Sequence, residues 1–168
     1  MTKLPDAEKL CAQLIAELKP AIGANTAVIG IHTGGAWLAE RLHAALGIRE
    51  PLGLMDIAFY RDDYHAQGLH HDPKRTKIPF DVNGAELLLV DDVLYSGRTV
   101  RAAMNELFDY GRPSRIVLAV LADRGGRQLP ICAQHCGARV DVPAGKRLRL
   151  TRAEDGRLAL ALEAEHAA

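Results

Sequence analysis

The chain has 168 residues, 48% of them hydrophobic and 25% charged, and its 21 Lys and Arg balance 21 Asp and Glu to a net charge of zero. That length supports one globular domain whose core needs no staples, and the charge balance excludes the strongly basic footprint of a protein dominated by phosphate-backbone binding. No run of about 18 apolar residues occurs and the start, Met1 to Asp6, lacks a signal peptide's apolar stretch, so the chain reads as a cytoplasmic protein whose three cysteines stay reduced.

Pro5 and Asp6 mark a helix start, and Leu10, Leu14, Ile15 and Leu18 recur at helical spacing until Pro20 and Gly23 stop the pattern. The apolar run Ala27 to Ile31 is too short for a helix and predicts a strand. A tight turn at Thr33-Gly34-Gly35 follows, then a helical pattern through Trp37, Leu38, Leu42 and Leu46. Leu54 to Tyr60 predicts a strand, and Leu87 to Val90 a buried strand running into Asp91-Asp92. A helix over about 99–110 stops at Gly111, with Pro113 behind it, and Ile116 to Leu121 is a further strand. Strands alternating with helices imply right-handed crossovers, hence an α/β fold with a parallel sheet covered on both faces.

Two segments stand outside that core. Residues 61–79 contain His65, His70, His71, Gly68 and Pro73 among many charges and predict a long exposed excursion, and 123–143 mixes Gly, Arg and Pro. The polar–apolar alternation of 147–152 and 157–162 around Glu154-Asp-Gly156 predicts a hairpin. With no repeat and no linker, residues 1–168 read as a single domain.

The chemistry concentrates in Glu86-Leu-Leu-Leu-Val-Asp-Asp-Val-Leu-Tyr-Ser-Gly-Arg-Thr99. A buried strand delivers two acids to its carboxyl end, where ligands of open parallel sheets bind, and a short loop then opens a helix. The helix start supplies backbone N–H groups and a positive dipole end; Ser96 and Thr99 add hydroxyls, and Gly97 permits close backbone approach. That is a phosphate cradle. Two carboxylates beside a phosphate repel it unless they face sugar hydroxyls or Mg²⁺ on the same ligand, and a phosphorylated sugar satisfies both halves. The blander reading has Asp91-Asp92 capping the next helix. Neither a P-loop nor a dinucleotide-binding glycine motif is present. Cys132, His135 and Cys136 lack the second ligand pair of a zinc site, and His65, His70 and His71 fit an exposed loop.

Val90 to Thr99 resembles the phosphoribosyl pyrophosphate (PRPP) motif of type I phosphoribosyltransferases. Asp56-Ile-Ala-Phe-Tyr-Arg-Asp-Asp63, Gly97-Arg-Thr-Val-Arg-Ala-Ala-Met104, Gly111-Arg-Pro-Ser114 and Leu118-Ala-Val-Leu-Ala-Asp-Arg-Gly125 are similar to the bifunctional pyrimidine operon regulator/uracil phosphoribosyltransferase (PyrR) family. The likeness covers about residues 27–143. It implies the type I phosphoribosyltransferase fold and conversion of uracil and PRPP to UMP and pyrophosphate with Mg²⁺. By the same resemblance Asp91 and Asp92 hold the ribose hydroxyls, directly or through metal and water, and Tyr95, Ser96, Gly97, Arg98 and Thr99 grip the 5′-phosphate. Thr33, Gly34 and Gly35 form the pyrophosphate loop, in which this superfamily often carries a non-proline cis peptide. Tyr60-Arg61 and the residues to about 79 form a flap that closes over PRPP, Arg61 helping the leaving group. Asp123, Arg124 and Gly125 form a hood over the base. Family association implies a dimer.

The chain departs from the family pattern at three places. Gly34 stands where the family has Arg, Gly126 where its hood has His, and Cys132 where its hood has Arg. The first helix carries no basic residue over Cys11 to Leu18, and Arg127 is the nearest remaining basic contact in the hood. Sequence-specific RNA binding is therefore expected to be weak or absent, with Lys146, Arg147, Arg149 and Arg152 as a substitute basic cluster. Two other readings stay open: a phosphoribosyltransferase for a purine base, and an RNA-binding regulator that uses UMP or PRPP as effectors without turnover.

Overall fold

A computed structural model describes residues 3–57 and 76–165. The chain enters through α1 (Ala7–Leu18), capped by the Asp6 carboxylate, which accepts the N–H groups of Glu8 and Lys9 at 2.9 and 3.2 Å. Then come β1 (Thr26–Ile31), α2 (Gly34–Leu46), β2 (Gly53–Met55), β3 (Glu86–Leu94), α3 (Arg98–Tyr110), β4 (Arg115–Asp123) and β5 (His135–Arg139). A hairpin of β6 (Lys146–Arg152) and β7 (Leu158–Ala164) closes the order.

The five strands β2-β1-β3-β4-β5 form one sheet in which every pairing is parallel. Period-two alternation decides what each face meets. Val28, Leu88, Val90, Val117, Ala119 and Leu121 turn toward α1, α2 and the hairpin, where Leu14, Leu18, Leu38, Leu42 and Leu150 cover them. Ala27, Ile29, Leu87, Leu89, Leu118 and Val120 turn toward α3, which presents Val100, Ala103 and Leu107. Covering both faces makes β1 buried at every position, which is why its sequence reads as a continuous apolar run. The parallel sheet flanked by helices is the expected α/β class.

Five expectations are adjusted. β3 does not stop before the acids but continues through Asp91 and Asp92 to Leu94, because β4 keeps pairing with it to Asp123. Gly34 and Gly35 belong to the first turn of α2 rather than to a separate turn. The excursion ends earlier than 79: Lys77 exchanges two backbone hydrogen bonds with Leu54 at 2.7 and 2.8 Å, and the Asp56 N–H donates to Thr76 Oγ1. The 123–143 segment is not wholly outside the core, since β5 is the sheet's edge strand. Its sequence, His-Cys-Gly-Ala-Arg, has no β-branched residue, and Gly137 is there because a Cβ would lie 2.5 Å from Leu121 O. The strand expected over Leu54 to Tyr60 stops at Met55: Asp56 and Ile57 are outside it, the Asp56 N–H being taken by the Thr76 hydroxyl rather than by a neighbouring strand. Residues 58–60, Arg61, the flap residues to 75 and all three of its histidines lie outside the described residues. Trp37 and Met104, read as helix-face core positions, are partly buried against the two cores.

Polar contacts fix the hairpin on the helices. Arg41 of α2 makes paired contacts to Glu8 of α1 at 3.0 and 3.2 Å and donates to Gly156 O at 2.7 Å, while the Leu158 N–H donates to the same Glu8 carboxylate at 2.7 Å. Arg152 pairs with Glu40 and lies 4.8 Å from the Trp37 ring centroid. The Arg41 hydrogen bond, then the Leu158 N–H, hold the Glu8 carboxyl below its ordinary value. A depressed folded value means that this contribution is complete above the unfolded glutamate pKa near ~4.3 and is lost as pH falls through the folded value. Arg41→Met is therefore expected to cost about 1–2 kcal/mol at pH 7 and progressively less as the pH is lowered past 4, measured by denaturant unfolding. A pH-independent cost would contradict the assignment.

Candidate active site

The site begins where the sheet changes winding direction. β1 leads through α2 to β2 on one side and β3 leads through α3 to β4 on the other, so the two helices leave on opposite faces and a crevice opens outside the carboxyl ends of β1 and β3. The β1–β3 ladder ends at Gly30 opposite Val90. Asp91 and Asp92 are the next residues of β3, and His32, Thr33, Gly34 and Gly35 are the residues after β1.

These two stretches touch. A Cβ added at Gly35 would lie 2.7 Å from Val90 O and 2.9 Å from Asp91 Cα, and one at Gly34 would run into the Asp92 carboxylate, 2.9 Å from Asp92 Cβ. Only residues without a side chain let the start of α2 approach β3 this closely. A side chain at residue 34, where the resembled pattern has an arginine, would meet the Asp92 side chain in this chain. The His32–Thr33 peptide is cis, at the loop where the resemblance places such a bond. Asp91 is buried, and its Oδ1 accepts the Asp92 N–H at 2.9 Å.

Beyond Leu94 the chain turns into α3 through Tyr95, Ser96 and Gly97. Gly97 adopts φ +92°, a left-handed conformation suited to glycine, and abuts Ile131. No side chain caps α3 and no acid occupies its first turn, so its N-terminal N–H groups and dipole suit an anion. Asp91 and Asp92, inside β3, do not cap that helix, which removes the bland reading. The Arg98 N–H donates to Ser96 Oγ at 3.2 Å.

The 123–131 segment leans on this loop. Arg124 donates its N–H to Leu94 O and places its guanidinium 3.9 Å from the Tyr95 ring centroid, and a Cβ at Gly126 would strike that ring. Gly125 donates its N–H to Asp123 Oδ1. Arg98 Nε donates to Gln128 Oε1 at 2.8 Å. Burial would raise the Asp123 carboxyl, but hydrogen bonds from Arg127 and the Gly125 N–H outweigh it and hold that carboxyl below its ordinary value. Thr33 to Gly35, Asp91 to Thr99 and Asp123 to Gly125 are thus brought to one end of the sheet. Arg61 lies outside the described residues. Arg127, Gln128 and Leu129 are contributions to the site that sequence reasoning missed, because nothing in their spacing shows that they turn inward.

Cys132 is exposed, and His135 Nδ1 lies 2.6 Å from Glu17 Oε1, tying β5 to α1. Among the described residues no three His, Cys, Asp or Glu groups converge to hold a metal on their own. Two clefts lie elsewhere, one at the amino ends of β1 and β3 beside Asn25 and Glu86, the other between Lys3, Lys9 and Arg139. Neither borders the paired acids, and ligands of open parallel sheets bind at carboxyl strand ends.

The phosphoribosyl transferase domain family matches residues 1–139. The chain belongs to the phosphoribosyltransferase family. Within it, the chain is 48% identical over 155 residues to the bifunctional protein PyrR of Ralstonia nicotianae, covering 90% of this chain and 88% of that one. It is 50% identical over 127 residues to the PyrR of Nitrosococcus oceani, covering 74% and 72%. Among solved structures, a hypoxanthine-guanine phosphoribosyltransferase of Bacillus anthracis superposes with a TM-score of 0.65 at 17% identity, covering 84% of this chain and 83% of that one. A purine phosphoribosyltransferase of Pyrococcus horikoshii gives 0.60 at 26% identity, covering 80% and 82%. The chain is therefore a PyrR-type phosphoribosyltransferase, an enzyme of the glycosyl-transfer class. No helix among the described residues is long and apolar enough to cross a membrane.

Gly34→Ala tests the packing at the heart of this phosphoribosyltransferase. Alanine is ordinarily the better helix former by about 1 kcal/mol, but here its methyl must displace the Asp92 carboxylate. The variant is expected to melt below the wild type and to lose phosphoribosyl transfer several-fold. A more stable and equally active Gly34→Ala protein would remove Asp92 from this position.

Proposed function

We propose that the chain transfers the phosphoribosyl group of PRPP to uracil, giving UMP and pyrophosphate, in pyrimidine salvage. The observation that carries this is the meeting, at one switch point, of two strand-end carboxylates with an uncapped helix start and the glycine turn after β1. In this reading Asp91 and Asp92 face the ribose hydroxyls, the 95–99 loop receives the 5′-phosphate on backbone N–H groups and the hydroxyls of Ser96 and Thr99, and Thr33 to Gly35 receive the pyrophosphate. Asp123 to Gly125 lie beside the base. Mg²⁺ enters as part of the PRPP substrate. The two acids suit it indirectly: Asp91 Oδ1 is already engaged by a backbone N–H, so substrate oxygens and water supply the remaining ligands.

The chemistry needs no covalent nucleophile. A ring nitrogen of uracil attacks the anomeric carbon and gives up its proton to the departing pyrophosphate or to water, the bond from that carbon to the pyrophosphate oxygen breaks, and positive charge develops on the ribose as negative charge collects on the leaving group. Fixed carboxylates beside the ribose and fixed N–H donors at the phosphates stabilise both charges. Arg61 is assigned to the leaving group on the resemblance alone. The uracil preference is supported by the PyrR relatives, whereas the purine reading draws on the fold neighbours.

Pyrophosphate release measured with a panel of bases is expected to show Mg²⁺-dependent turnover with uracil and little with hypoxanthine or guanine. Asp92→Asn should lower that turnover by roughly 10²-fold without unfolding the protein. Turnover with a purine alone would establish the alternative.

The relatives' second role is proposed to be weak here where it depends on RNA. Arg147 and Arg149 both pair with Glu163, at 2.8 and 3.1 Å, and Arg152 pairs with Glu40 at 3.2 Å, so the substitute basic cluster is largely neutralised. Arg127 directs its guanidinium inward. In filter binding with a pyrimidine-operon leader RNA at physiological salt, the expected result is weak retention that UMP does not enhance. Nanomolar, sequence-dependent, UMP-enhanced binding would restore the RNA-regulator reading.

A further inference from the structure

Three consecutive carbonyls at the end of β3 are anchored by the 123–131 segment. Leu94 O accepts the Arg124 N–H at 3.0 Å, Tyr95 O accepts Arg127 Nη1 at 2.5 Å, and Ser96 O accepts the N–H groups of Gln128 and Leu129 at 2.9 and 3.1 Å. A trans peptide unit is planar, with its N–H directed opposite its C=O. Turning the Tyr95 and Ser96 carbonyls toward this segment therefore aims the N–H groups of Ser96 and Gly97 away from it. The anchors thus decide which way the loop's donors point.

Two of the three anchors are made by backbone N–H groups, which any residue would supply. Arg127 alone makes its anchor with a side chain. Its other terminal nitrogen lies 2.6 Å from Asp123 Oδ2, and the two side chains are only 25% and 12% exposed. One guanidinium thus joins the loop after β3 to the first residue of the hood, with the partial desolvation that makes charge-assisted hydrogen bonds strong and directional.

We propose that Arg127 is a positioning residue for phosphoribosyl transfer: its guanidinium locks the Tyr95–Ser96 peptide in the orientation that presents backbone N–H groups to the 5′-phosphate, and ties that loop to Asp123. Arg127 touches no substrate in this role. The proposal rests on the assignment of the 95–99 loop to the PRPP phosphate, made above. An ammonium group at this position carries the same charge but cannot span Tyr95 O and Asp123 with the fixed fork of a guanidinium.

The test compares wild-type protein with R127Q, R127K and Q134A, measuring kcat and the KM for PRPP at saturating Mg²⁺ and uracil, calorimetric binding of Mg²⁺–PRPP, and thermal melting. R127Q is expected to raise both KM and Kd for PRPP about tenfold or more while kcat changes less, and R127K to fall between R127Q and the wild type. Q134A loosens the 123–143 segment where Gln134 Oε1 accepts the Leu118 N–H at 2.7 Å, away from the loop after β3, so it should stay within twofold of the wild type. PRPP constants for R127Q within twofold of the wild type overturn the proposal, as does an equal rise in Q134A, which would mean that any softening of the hood suffices. So does full restoration in R127K, which would reduce Arg127 to a charge. If R127Q does not fold, R127K carries the comparison, and failure of both to fold marks Arg127 as a general structural residue and overturns the proposal. A wild-type protein that neither binds nor turns over PRPP overturns the phosphoribosyl assignment and this inference together, whereas an active wild type with an indifferent R127Q overturns this inference alone.

Discussion

The approach of the α2 start to the carboxyl end of β3 sets the geometry of everything around it. β1 and β3 are hydrogen-bonded as far as Gly30 and Val90; β1 then leads into α2 on one face, while β3 runs on beside β4 to Leu94 before α3 covers the other face. Gly34 and Gly35 bring the α2 turn onto Val90, Asp91 and Asp92 with no room for a Cβ. A carboxylate pair, a helix start and a backbone turn are thereby held within one small volume. Any side chain at residue 34 must compete with Asp92 for the same space.

Around that contact the molecule divides its polar interactions between two tasks. The set formed by Glu8, Arg41, Arg152 and Glu40 secures the hairpin to α1 and α2, on the face away from α3. The set formed by Arg124, Arg127, Gln128 and Leu129 secures the loop after β3. The first is built from arginine guanidiniums bridging to carboxylates and a main-chain carbonyl, a use that suits a planar fork of donors, and the second from backbone N–H groups together with the one guanidinium of Arg127. An arginine counted from sequence as available to a polyanion is, in several cases here, already occupied.

The relatives and the fold neighbours bear on different levels. Identity of 43–50% to PyrR proteins over most of the chain places it in that group. The solved structures, at 17–26% identity, share the parallel sheet while acting, by their titles, on purines. The likeness at that level is one of fold, and sheet topology by itself does not choose a base. At the carboxyl end of this sheet Gly126 lies against the Tyr95 ring and Cys132 is exposed.

Sequence periodicity was sufficient for the architecture. The helical spacing of α1, α2 and α3 and the apolar runs of β1, β3 and β4 are local properties, and burial on both faces makes them strong ones. The arrangement from Val90 to Thr99 was legible for the same reason: strand, acids, hydroxyls, glycine and helix are contiguous, so their order alone puts an acid pair and a helix start at one end of the sheet. The edge strand β5 was not legible, because His135 to Arg139 has no strand composition and is held by the ladder it forms with β4. The true end of β3, the Asp92 carboxylate over Gly34 and the inward turn of Arg127 were equally hidden. Each depends on which atoms meet between segments well separated along the chain, or on which way one peptide plane faces. Such relations exist only once the sheet has assembled, so local pattern specified the elements and tertiary packing decided where their donors and carboxylates point.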